Sequence, residues 1–240
     1  MIKFLTIFFL NFFDFIHKKK IINFFYRNKI NLEHIIDVGA HHGETINLFL
    51  KYFKPKKIYS FEASPQNFFI LKKNYSKLDQ HLKKIIQIEN IALGKNNRIQ
   101  SFNQTHESSS STFSEINTES NYFSRKKFFL GMGQDKNFFK KIELKIISLD
   151  SYFSDYNLNK IDLLKIDTEG FEYEVLQGIQ KNMKNVNYIL FEHHYDDMIK
   201  KNYKFKDIIQ LLKRNNFKLI YKSKMPFRKS FEYIFGKENI

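Results

Sequence analysis

Apolar runs alternate along the chain with segments in which apolar residues recur about every 3.6 positions. The runs predict buried strands, whereas the periodic segments predict amphipathic helices. Pro65 stands at the first turn of one such helix, where its missing N–H costs nothing. The predicted strands cover His34–Ala40, Lys56–Ala63, Ile85–Leu93, Ile161–Asp167 and Tyr188–His194, and the predicted helices cover Glu44–Phe53, Pro65–Tyr75, Glu172–Met183 and Phe205–Asn215.

Strands that are regularly separated by helices indicate a mostly parallel sheet with helices on both faces. Phe217–Lys224 and Ser230–Lys237 follow the last helix with no further helix between them. This arrangement predicts a C-terminal hairpin that adds an antiparallel edge to the sheet. The sequence therefore predicts an α/β fold.

Residues 1–30 precede this pattern and are predicted to form an apolar and basic helical extension. The Phe-rich run from Phe4 to Phe15 is interrupted by polar residues and is shorter than the roughly 20 residues needed to span a bilayer. Its basic cluster follows the apolar run, which is opposite to the order in a secretory signal. Two interpretations stay open: a helix that lies on a membrane surface and is dispensable for ligand binding, or a helix that packs its Phe face on the domain.

The rest of the chain, residues 31–240, is predicted to be one domain with an irregular segment at 101–144. This segment contains the serine run Ser108–Ser111 and lacks convincing periodicity. So long a stretch without secondary structure is uncommon in a compact domain unless it is functional or disordered. A lid over a site and a flexible insertion are both consistent with it.

Composition narrows the classes of partner. Forty basic and 25 acidic residues give a net charge of +15, but the surplus lies at the two ends and residues 31–199 are nearly neutral. We therefore expect no nucleic-acid partner. The absence of cysteine excludes a disulfide scaffold, a thiolate nucleophile and an iron–sulfur protein, and it fits a cytoplasmic location.

Ligands of a parallel sheet bind beyond the carboxyl ends of its strands, and the first predicted strand ends in DVGAHHGET, Asp37–Thr45. Gly39 and Gly43 allow a sharp turn and a close approach to a ligand. The phosphate-binding spacing G-x-G-x-x-G would require glycine where His41 and Glu44 stand. The segment is therefore more typical of a site for a nucleoside without a pyrophosphate.

Polar residues also end the next two predicted strands. Glu62 ends the second, where an acidic side chain can accept hydrogen bonds from both ribose hydroxyls. Asn90 and the backbone amide of Ala92 end the third, where they can meet an adenine edge. Three such segments in order predict an adenosine-containing ligand.

A group of charged residues surrounds the fourth strand, in LLKIDTEGFEYEVLQG from Leu163 to Gly178. Lys165 lies on a buried strand and therefore needs a carboxylate partner. Asp167 and Glu169 follow on the turn into the next helix. The fifth strand ends in FEHH, which places His193 at the same edge of the sheet.

These segments resemble the FkbM family of S-adenosylmethionine-dependent methyltransferases. The similarity extends from about Ile35 to His194, and K-x-D-x-E-G-x-E is its most specific block. It implies a Rossmann-like class I methyltransferase fold with a seven-stranded sheet, and methyl transfer to a hydroxyl, frequently of sugars or natural products. The segments that carry the resemblance are DVGAHHGET, SFEASP, ENIALG, HESSSSTF, SLDSYF, IDLLKIDTEGFEYEVLQGI and ILFEHH.

The resemblance also implies roles for individual residues. Asp167, with its neighbours Lys165 and Glu169, would face the transferred methyl group. The base that removes the hydroxyl proton would be Asp167 or His193, unless Asp167 is only the partner of Lys165 and His193 is a structural strand-end residue. Asp167 is preferred because it follows the strand whose end faces the methyl group in this family. The residues lining the S-adenosylmethionine site would be Asp37, Gly39, Gly43, Glu62, Asn90 and Ala92, while His41 stands where many relatives have Asn.

Other functions were weighed against a methyltransferase that acts on a small-molecule or glycan acceptor. A nicotinamide-dependent oxidoreductase would share the sheet, and a non-enzymatic membrane- or nucleic-acid-binding module would use the basic ends. Peripheral contact of residues 1–20 with the inner membrane surface is predicted for the extension. No metal site is expected, because the histidines lack the i, i+4 spacing of a helical zinc motif. A serine hydrolase is disfavoured because no G-x-S-x-G segment exists.

Overall fold

The computed structural model describes residues 2–105, 110–129, 138–154 and 159–238. Its strands are β1 (His34–Val38), β2 (Lys57–Phe61), β3 (Ile86–Glu89), β4 (Ala92–Leu93), β5 (Arg98–Thr105), β6 (Glu115–Ile116), β7 (Phe139–Ile147), β8 (Ile161–Ile166), β9 (Val186–His194), β10 (Ile199–Lys200), β11 (Phe217–Lys224) and β12 (Ser230–Lys237). Its α-helices are α1 (Ile2–Arg27), α2 (Glu44–Tyr52), α3 (Pro65–Ser76), α4 (Gln80–Ile85), α5 (Asn121–Phe129), α6 (Leu149–Tyr152), α7 (Glu172–Gln177) and α8 (Phe205–Arg214).

A seven-stranded sheet in the order β11-β12-β9-β8-β1-β2-β3 forms the centre of the molecule. The strands β3, β2, β1, β8 and β9 are parallel neighbours. The strand β12 runs antiparallel to both β9 and β11. The predicted α/β fold and its C-terminal hairpin are therefore confirmed. The antiparallel strand, however, is β12 inside the sheet, and β11 forms the edge.

Each face of the sheet carries its own apolar core because side chains alternate along a strand. On β1, Ile35 points into a core shared with α1, α2 and α3, whereas Ile36 points into a core shared with α6, α7 and α8. Both side chains are almost fully buried. Helices on both faces explain why the parallel strands are apolar runs in the sequence.

The second half of α1 is part of the core. Ile21, Ile22 and Phe25 are buried, and Phe25 is 0% exposed. They share one core with residues of α2 and β1. This half of the helix therefore packs on the domain, as the second interpretation predicts, because these apolar side chains lie on one helix face against the sheet. That residues 1–30 are dispensable for ligand binding stays a prediction. Contact of residues 1–20 with a membrane stays a prediction, and no helix in the described part of the chain is both long and apolar enough to cross one.

Two further expectations need correction. The predicted strand Ile85–Leu93 is interrupted after Glu89, and β4 leaves the main sheet to pair with β7. The predicted irregular segment 101–144 contains β6, α5 and most of the antiparallel pair β5–β7 within its described residues. These strands were missed because much of their surface is exposed, so they lack a continuous apolar run. Residues 106–109, with the first half of the serine run, and 130–137 lie outside the described residues.

Candidate functional site

A cavity of about 990 Å³, counting the space open to solvent at its mouth, lies beyond the carboxyl ends of the parallel strands. Its walls come from the segments that follow β1, β2, β3 and β8, and from the end of β9. Residues of α1, of 102–113 and of the β11–β12 hairpin complete it. This is the position at which ligands bind to open parallel sheets.

The turn after β1 forms the cavity floor and depends on glycine at two positions. Gly39 has a φ of +80°, and a Cβ there would lie 1.8 Å from the backbone oxygen of Asp167, so no other residue fits. Gly43 has a φ of +91° and precedes α2, where its amide donates to the backbone oxygen of Ala40. Gly39 lies on the cavity wall, whereas Gly43 shapes the turn without lining the cavity.

Glu62 projects into the cavity after β2 in a fixed orientation. Its Oε2 accepts a hydrogen bond from the backbone amide of His41 at 2.8 Å, and its Oε1 accepts one from the amide of Ser64 at 2.9 Å. Burial raises the pKa of Glu62 to about 7, against the opposing effect of these hydrogen bonds. The Asn67 side chain also hydrogen-bonds this carboxylate, which keeps acceptor capacity for a ligand hydroxyl because a carboxylate has about four lone-pair sites.

Asn90 and Ala92 have roles different from those predicted. The side-chain amide of Asn90 donates to the backbone oxygens of Glu62 at 2.8 Å and of Ala63 at 3.2 Å, so it braces the Glu62 turn. Ala92 is buried and pairs with Ile146 of β7. The cavity is lined instead by Ile91 and Leu93, which alternate with Asn90 and Ala92. Within ENIALG, the residues that line the cavity are therefore the apolar Ile91 and Leu93.

Asp37 and Lys165 lie beneath the cavity as a buried ion pair. Lys165 Nζ is 2.8 Å from Asp37 Oδ1, and neither residue lines the cavity. Burial raises the pKa of Asp37, against the opposing effect of Lys165. The pKa of Lys165 is raised because the charges of Asp37 and Asp167 outweigh burial. The predicted carboxylate partner of Lys165 is thus Asp37, and the role of both is structural.

Asp167 lines the cavity directly above this pair. Its Oδ2 lies 3.8 Å from Lys165 Nζ, and its side chain is 32% exposed. Its amide donates to the backbone oxygen of Val38 at 2.9 Å, which joins the ends of β8 and β1. Asp167 therefore lies at the cavity beside Gly39 of the β1–α2 turn.

A carboxylate–histidine cluster stands next to Asp167. His194 Nε2 lies 3.3 Å from both Glu169 Oε2 and Glu192 Oε1, and its Nδ1 lies 3.4 Å from Asp196 Oδ2. Burial lowers the pKa of His194, but the charges of Glu169 and Glu192 outweigh it and raise the value to about 10. Burial raises the pKa of Glu169 to about 7, against the opposing effect of the His194 charge. The site therefore holds an imidazolium between two carboxylates.

The backbone at Glu169 is unusual and is held from outside its own segment. Glu169 has a φ of +51°, which is rare for a residue with a side chain. Thr112 Oγ1 donates to the backbone oxygen of Glu169 at 2.6 Å, and Ser114 Oγ donates to that of Gly170 at 2.9 Å. The described part of segment 101–144 thus fixes the turn that carries Glu169.

His193 lies away from the cavity, so the prediction that it acts as a base is not supported by the geometry. Side chains alternate along β9, and Glu192 lines the cavity while His193 does not. The His193 ring packs against Tyr195 and Phe205, with ring centroids 4.8 and 5.0 Å apart. Burial lowers the pKa of His193 to about 3, so the ring is neutral.

Sequence reasoning missed the residues that close the cavity from the two ends of the chain. Asp14 and Lys18 of α1 and Arg228 and Glu232 of the hairpin all line it. Arg228 Nη2 lies 2.6 Å from Asp14 Oδ2, and His17 Nε2 lies 2.9 Å from Glu232 Oε2. Their isolated charges gave no signal because only the fold brings the two ends together.

Three candidate metal ligands, His41, His42 and Glu44, lie close together within the described residues. His41 Nδ1 hydrogen-bonds Glu44 Oε1 at 3.0 Å, and the two imidazole rings stack with centroids 3.7 Å apart. The expectation that the protein holds no metal stays a prediction.

The cavity fits S-adenosylmethionine. Glu62 offers a buried, oriented carboxylate for the ribose hydroxyls, and Ile91, Leu93 and Phe102 form an apolar wall suited to a flat adenine ring. Because Gly39 has no side chain, the space between this wall and Asp167 stays open. Of the predicted cofactor residues, Gly39 and Glu62 line the cavity, while Asp37, Gly43, Asn90 and Ala92 support it.

Comparison with known proteins adds independent information. The family model of the methyltransferase FkbM domain matches residues 37–219. A structure of methyltransferase FkbM from Methylobacillus flagellatus KT shares 14% sequence identity with a TM-score of 0.54, over 85% of this chain and 43% of that one. This chain therefore spans less than half the length of that relative. No curated protein matches the sequence.

Two other solved structures share the fold. Magnesium protoporphyrin IX methyltransferase from Synechocystis PCC 6803, with bound SAH, is 9% identical with a TM-score of 0.52, over 95% of this chain and 85% of that one. A protein of the NADB-Rossmann superfamily from Streptococcus agalactiae is 12% identical with a TM-score of 0.51, over 93% and 69%. At these identities the similarity establishes the architecture alone.

Proposed function

Because the chain belongs to the FkbM methyltransferase family, we propose that it methylates a hydroxyl of a sugar, a glycan or a related small molecule. The protein is a methyltransferase, and its cofactor is S-adenosylmethionine. The alternative predictions of a nicotinamide-dependent oxidoreductase and of a non-enzymatic binding module are therefore wrong. The residues that line the cavity support the proposed class of acceptor.

The acidic lining of the cavity carries the proposal. Asp167, Glu169, Glu192 and Glu232 line it on the side of β8, β9 and β12. Carboxylates accept hydrogen bonds from hydroxyl groups, and a fixed group of them suits a polyhydroxylated acceptor. The same charges repel phosphates, and Arg228, the lining cation that lies near Glu169 and Glu192, is already paired with Asp14. A neutral polyol is therefore favoured over a nucleic acid or a phosphorylated acceptor.

Glu169 is the best-placed base in this arrangement. A general base is most effective when its pKa lies near the working pH, and burial raises the pKa of Glu169 to about 7. The His194 imidazolium at 3.3 Å keeps the carboxylate oriented. Asp167, with a partly exposed side chain beside it, orients the acceptor hydroxyl.

S-adenosylmethionine supplies, when bound, a methyl group that its sulfonium activates. The acceptor hydroxyl transfers its proton to the Glu169 carboxylate as its oxygen bonds to the methyl carbon and the bond from that carbon to sulfur breaks. The products are a methyl ether, S-adenosylhomocysteine and one proton, which Glu169 releases to solvent. The protein contributes alignment of the hydroxyl and removal of its proton.

Incubation of the protein with radiolabelled methyl donor and a fractionated host extract tests the acceptor class. Label is expected in polysaccharide, glycolipid or neutral small-molecule fractions, in an alkali-stable form typical of a methyl ether. The Glu169→Gln variant is the matched control for non-enzymatic labelling. Label confined to nucleic acid or protein would contradict the proposal.

A further inference from the structure

We propose that Lys18 of α1 binds the carboxylate of the methionyl part of S-adenosylmethionine. The proposal gives a role in cofactor binding to α1, which lies outside the family-matched residues 37–219. It rests on the cofactor and is independent of which acceptor is methylated.

The position of Lys18 is fixed from both sides along α1. Asp14, one turn earlier, is paired with Arg228 at 2.6 Å, and Ile21 and Ile22, one turn later, are buried in the core. Between these anchors, Lys18 lies on the cavity wall together with Gly39 and His41 of the β1–α2 turn. The helix therefore presents Lys18 to the cavity floor in a defined place.

Among the described residues, Lys18 differs from Arg228 and Lys165 because it has no carboxylate partner. Arg228 is paired with Asp14, and Lys165 beneath the floor is paired with Asp37. Within the described ranges, no acidic oxygen lies within 4.0 Å of Lys18 Nζ. Its charge still reaches the floor: the pKa of Glu44 falls to about 2 despite burial, chiefly through His41, and Lys18 contributes to this lowering.

The chemistry of the cofactor matches this cation. Glu62 locates the ribose on the β2 side of the cavity, so the methionyl part extends over the β1–α2 turn, where Gly39 leaves room. That part ends in a carboxylate, which the acidic wall formed by Asp167, Glu169 and Glu192 would repel. The Lys18 ammonium near the β1–α2 turn compensates for this repulsion. The amino terminus of α2 also favours the negative charge of the carboxylate.

Calorimetric binding of two nucleosides separates this contact from general effects on the site. S-adenosylhomocysteine carries the carboxylate, whereas 5′-methylthioadenosine has the adenosine and sulfur but no amino-acid part. In Lys18→Gln, the Kd for S-adenosylhomocysteine is expected to rise at least tenfold, while the Kd for 5′-methylthioadenosine stays within twofold of the wild-type value. Lys18→Arg should retain most of the affinity because it keeps the charge.

Lys20→Gln is the matched control, since Lys20 is an exposed lysine of the same helix outside the cavity. It should change neither Kd, and thermal unfolding should show that all variants are folded. Equal weakening of both ligands in Lys18→Gln, or no weakening of S-adenosylhomocysteine, would overturn the role of Lys18. A wild-type protein that binds neither nucleoside would instead overturn the cofactor site itself.

Discussion

The carboxylate of Asp14 lies 2.6 Å from the guanidinium of Arg228, although 214 positions separate the two residues in the chain. The pair joins α1 to the β11–β12 hairpin across the mouth of the cavity. His17 and Glu232 form a second contact between the same two elements. The four residues of these two contacts thus lie outside the family-matched residues 37–219.

We expect Asp14→Ala to lower the free energy of unfolding by about 1–3 kcal/mol, between the values for an exposed and a buried pair. Both side chains are partly buried. Without Asp14, the Arg228 guanidinium loses its ion-pair partner and keeps only the weaker attraction of Glu192 and Glu169. Urea unfolding of Asp14→Ala, Arg228→Ala and the double variant measures the coupling. Strictly additive effects would show that the contact contributes nothing.

A larger effect is expected at the buried pair beneath the floor. Asp37→Asn removes the charge that compensates Lys165, and breaking a buried ion pair in this way typically costs about 3–5 kcal/mol. Asp37→Asn combined with Lys165→Met should be more stable than Asp37→Asn alone, because no unpaired charge is left in the core. Equilibrium unfolding of the wild type and of these two variants checks this order, and a double variant less stable than Asp37→Asn would contradict it.

The central part of the fold was predictable because its signals are local. The apolar runs of β1, β2, β8 and β9 indicate strands that are buried on both faces of the sheet. Gly39 directly follows β1, and Glu62 directly follows β2. Asn90 and His193 were assigned to the site because they also end strands. Neither side chain lines the cavity, however: Asn90 braces the turn that carries Glu62, and His193 lies on the other side of β9 from Glu192.

The remainder depends on contacts between distant parts of the chain. The strands β5 and β7 are far apart in the sequence and pair with each other only in the fold. Polar residues interrupt both strands, so neither carries an apolar run. Arg228 gave no signal for the same reason, whereas Lys18 stood out in the sequence only as part of the basic cluster after the apolar run. An isolated charge in the sequence is indistinguishable from a solvated one until the fold brings its partner near.

The pH dependence of turnover tests the role of Glu169. The base must be ionised, and burial raises the pKa of Glu169 to about 7, so log(kcat/KM) should fall with unit slope as the pH drops below about 7. Glu169→Gln should lose roughly 10²–10⁴-fold in kcat and should lose this pH dependence. Asp167→Asn should raise KM for the acceptor more than it lowers kcat.

His193→Gln is the control for these measurements, because His193 lies on the opposite side of β9 from Glu192. It is expected to keep the pH profile of the wild-type enzyme, even if it unfolds at a lower temperature. A profile that loses its acidic limb in His193→Gln or in Asp167→Asn, but not in Glu169→Gln, would assign the base elsewhere.

Glu62 should link cofactor binding to pH-dependent stability. Its pKa in the folded state, about 7, is raised above the unfolded value by burial. Its contribution to stability is therefore complete below the unfolded pKa and is lost as the pH rises through about 7. From pH 5 to 8, Glu62→Gln should gain on the order of 2–3 kcal/mol relative to the wild type.

The same substitution should weaken S-adenosylhomocysteine binding by at least about 1 kcal/mol, because a charge-assisted acceptor of the ribose hydroxyls is lost. Calorimetry and urea unfolding at both pH values provide the two readouts. A variant that binds the nucleoside as tightly as the wild type would remove Glu62 from the cofactor site, whatever its stability.

The strongest test of the N-terminal helix is Phe25→Ala. Phe25 is 0% exposed and packs against Tyr188 of β9, with ring centroids 5.9 Å apart, in the core that also contains Ile35 of β1. Removal of a buried Phe side chain typically costs about 3–5 kcal/mol through lost burial and the cavity left behind. We therefore expect a large fall in the midpoint of thermal unfolding. Phe15→Ala, on the exposed side of the same helix at 46% exposure, should change the free energy of unfolding by less than about 0.5 kcal/mol.

The two substitutions also separate core packing from membrane contact along α1. Co-sedimentation with vesicles that contain anionic lipid should be weakened by Phe15→Ala only if the exposed face meets the bilayer, since an inserted Phe adds apolar burial there. Phe25 is unavailable to lipid while the domain is folded, so Phe25→Ala should leave vesicle binding unchanged below its unfolding temperature. If Phe25→Ala unfolds like the wild type, the second half of α1 is not part of the core, and the anchoring of Asp14 and Lys18 at the cavity fails with it.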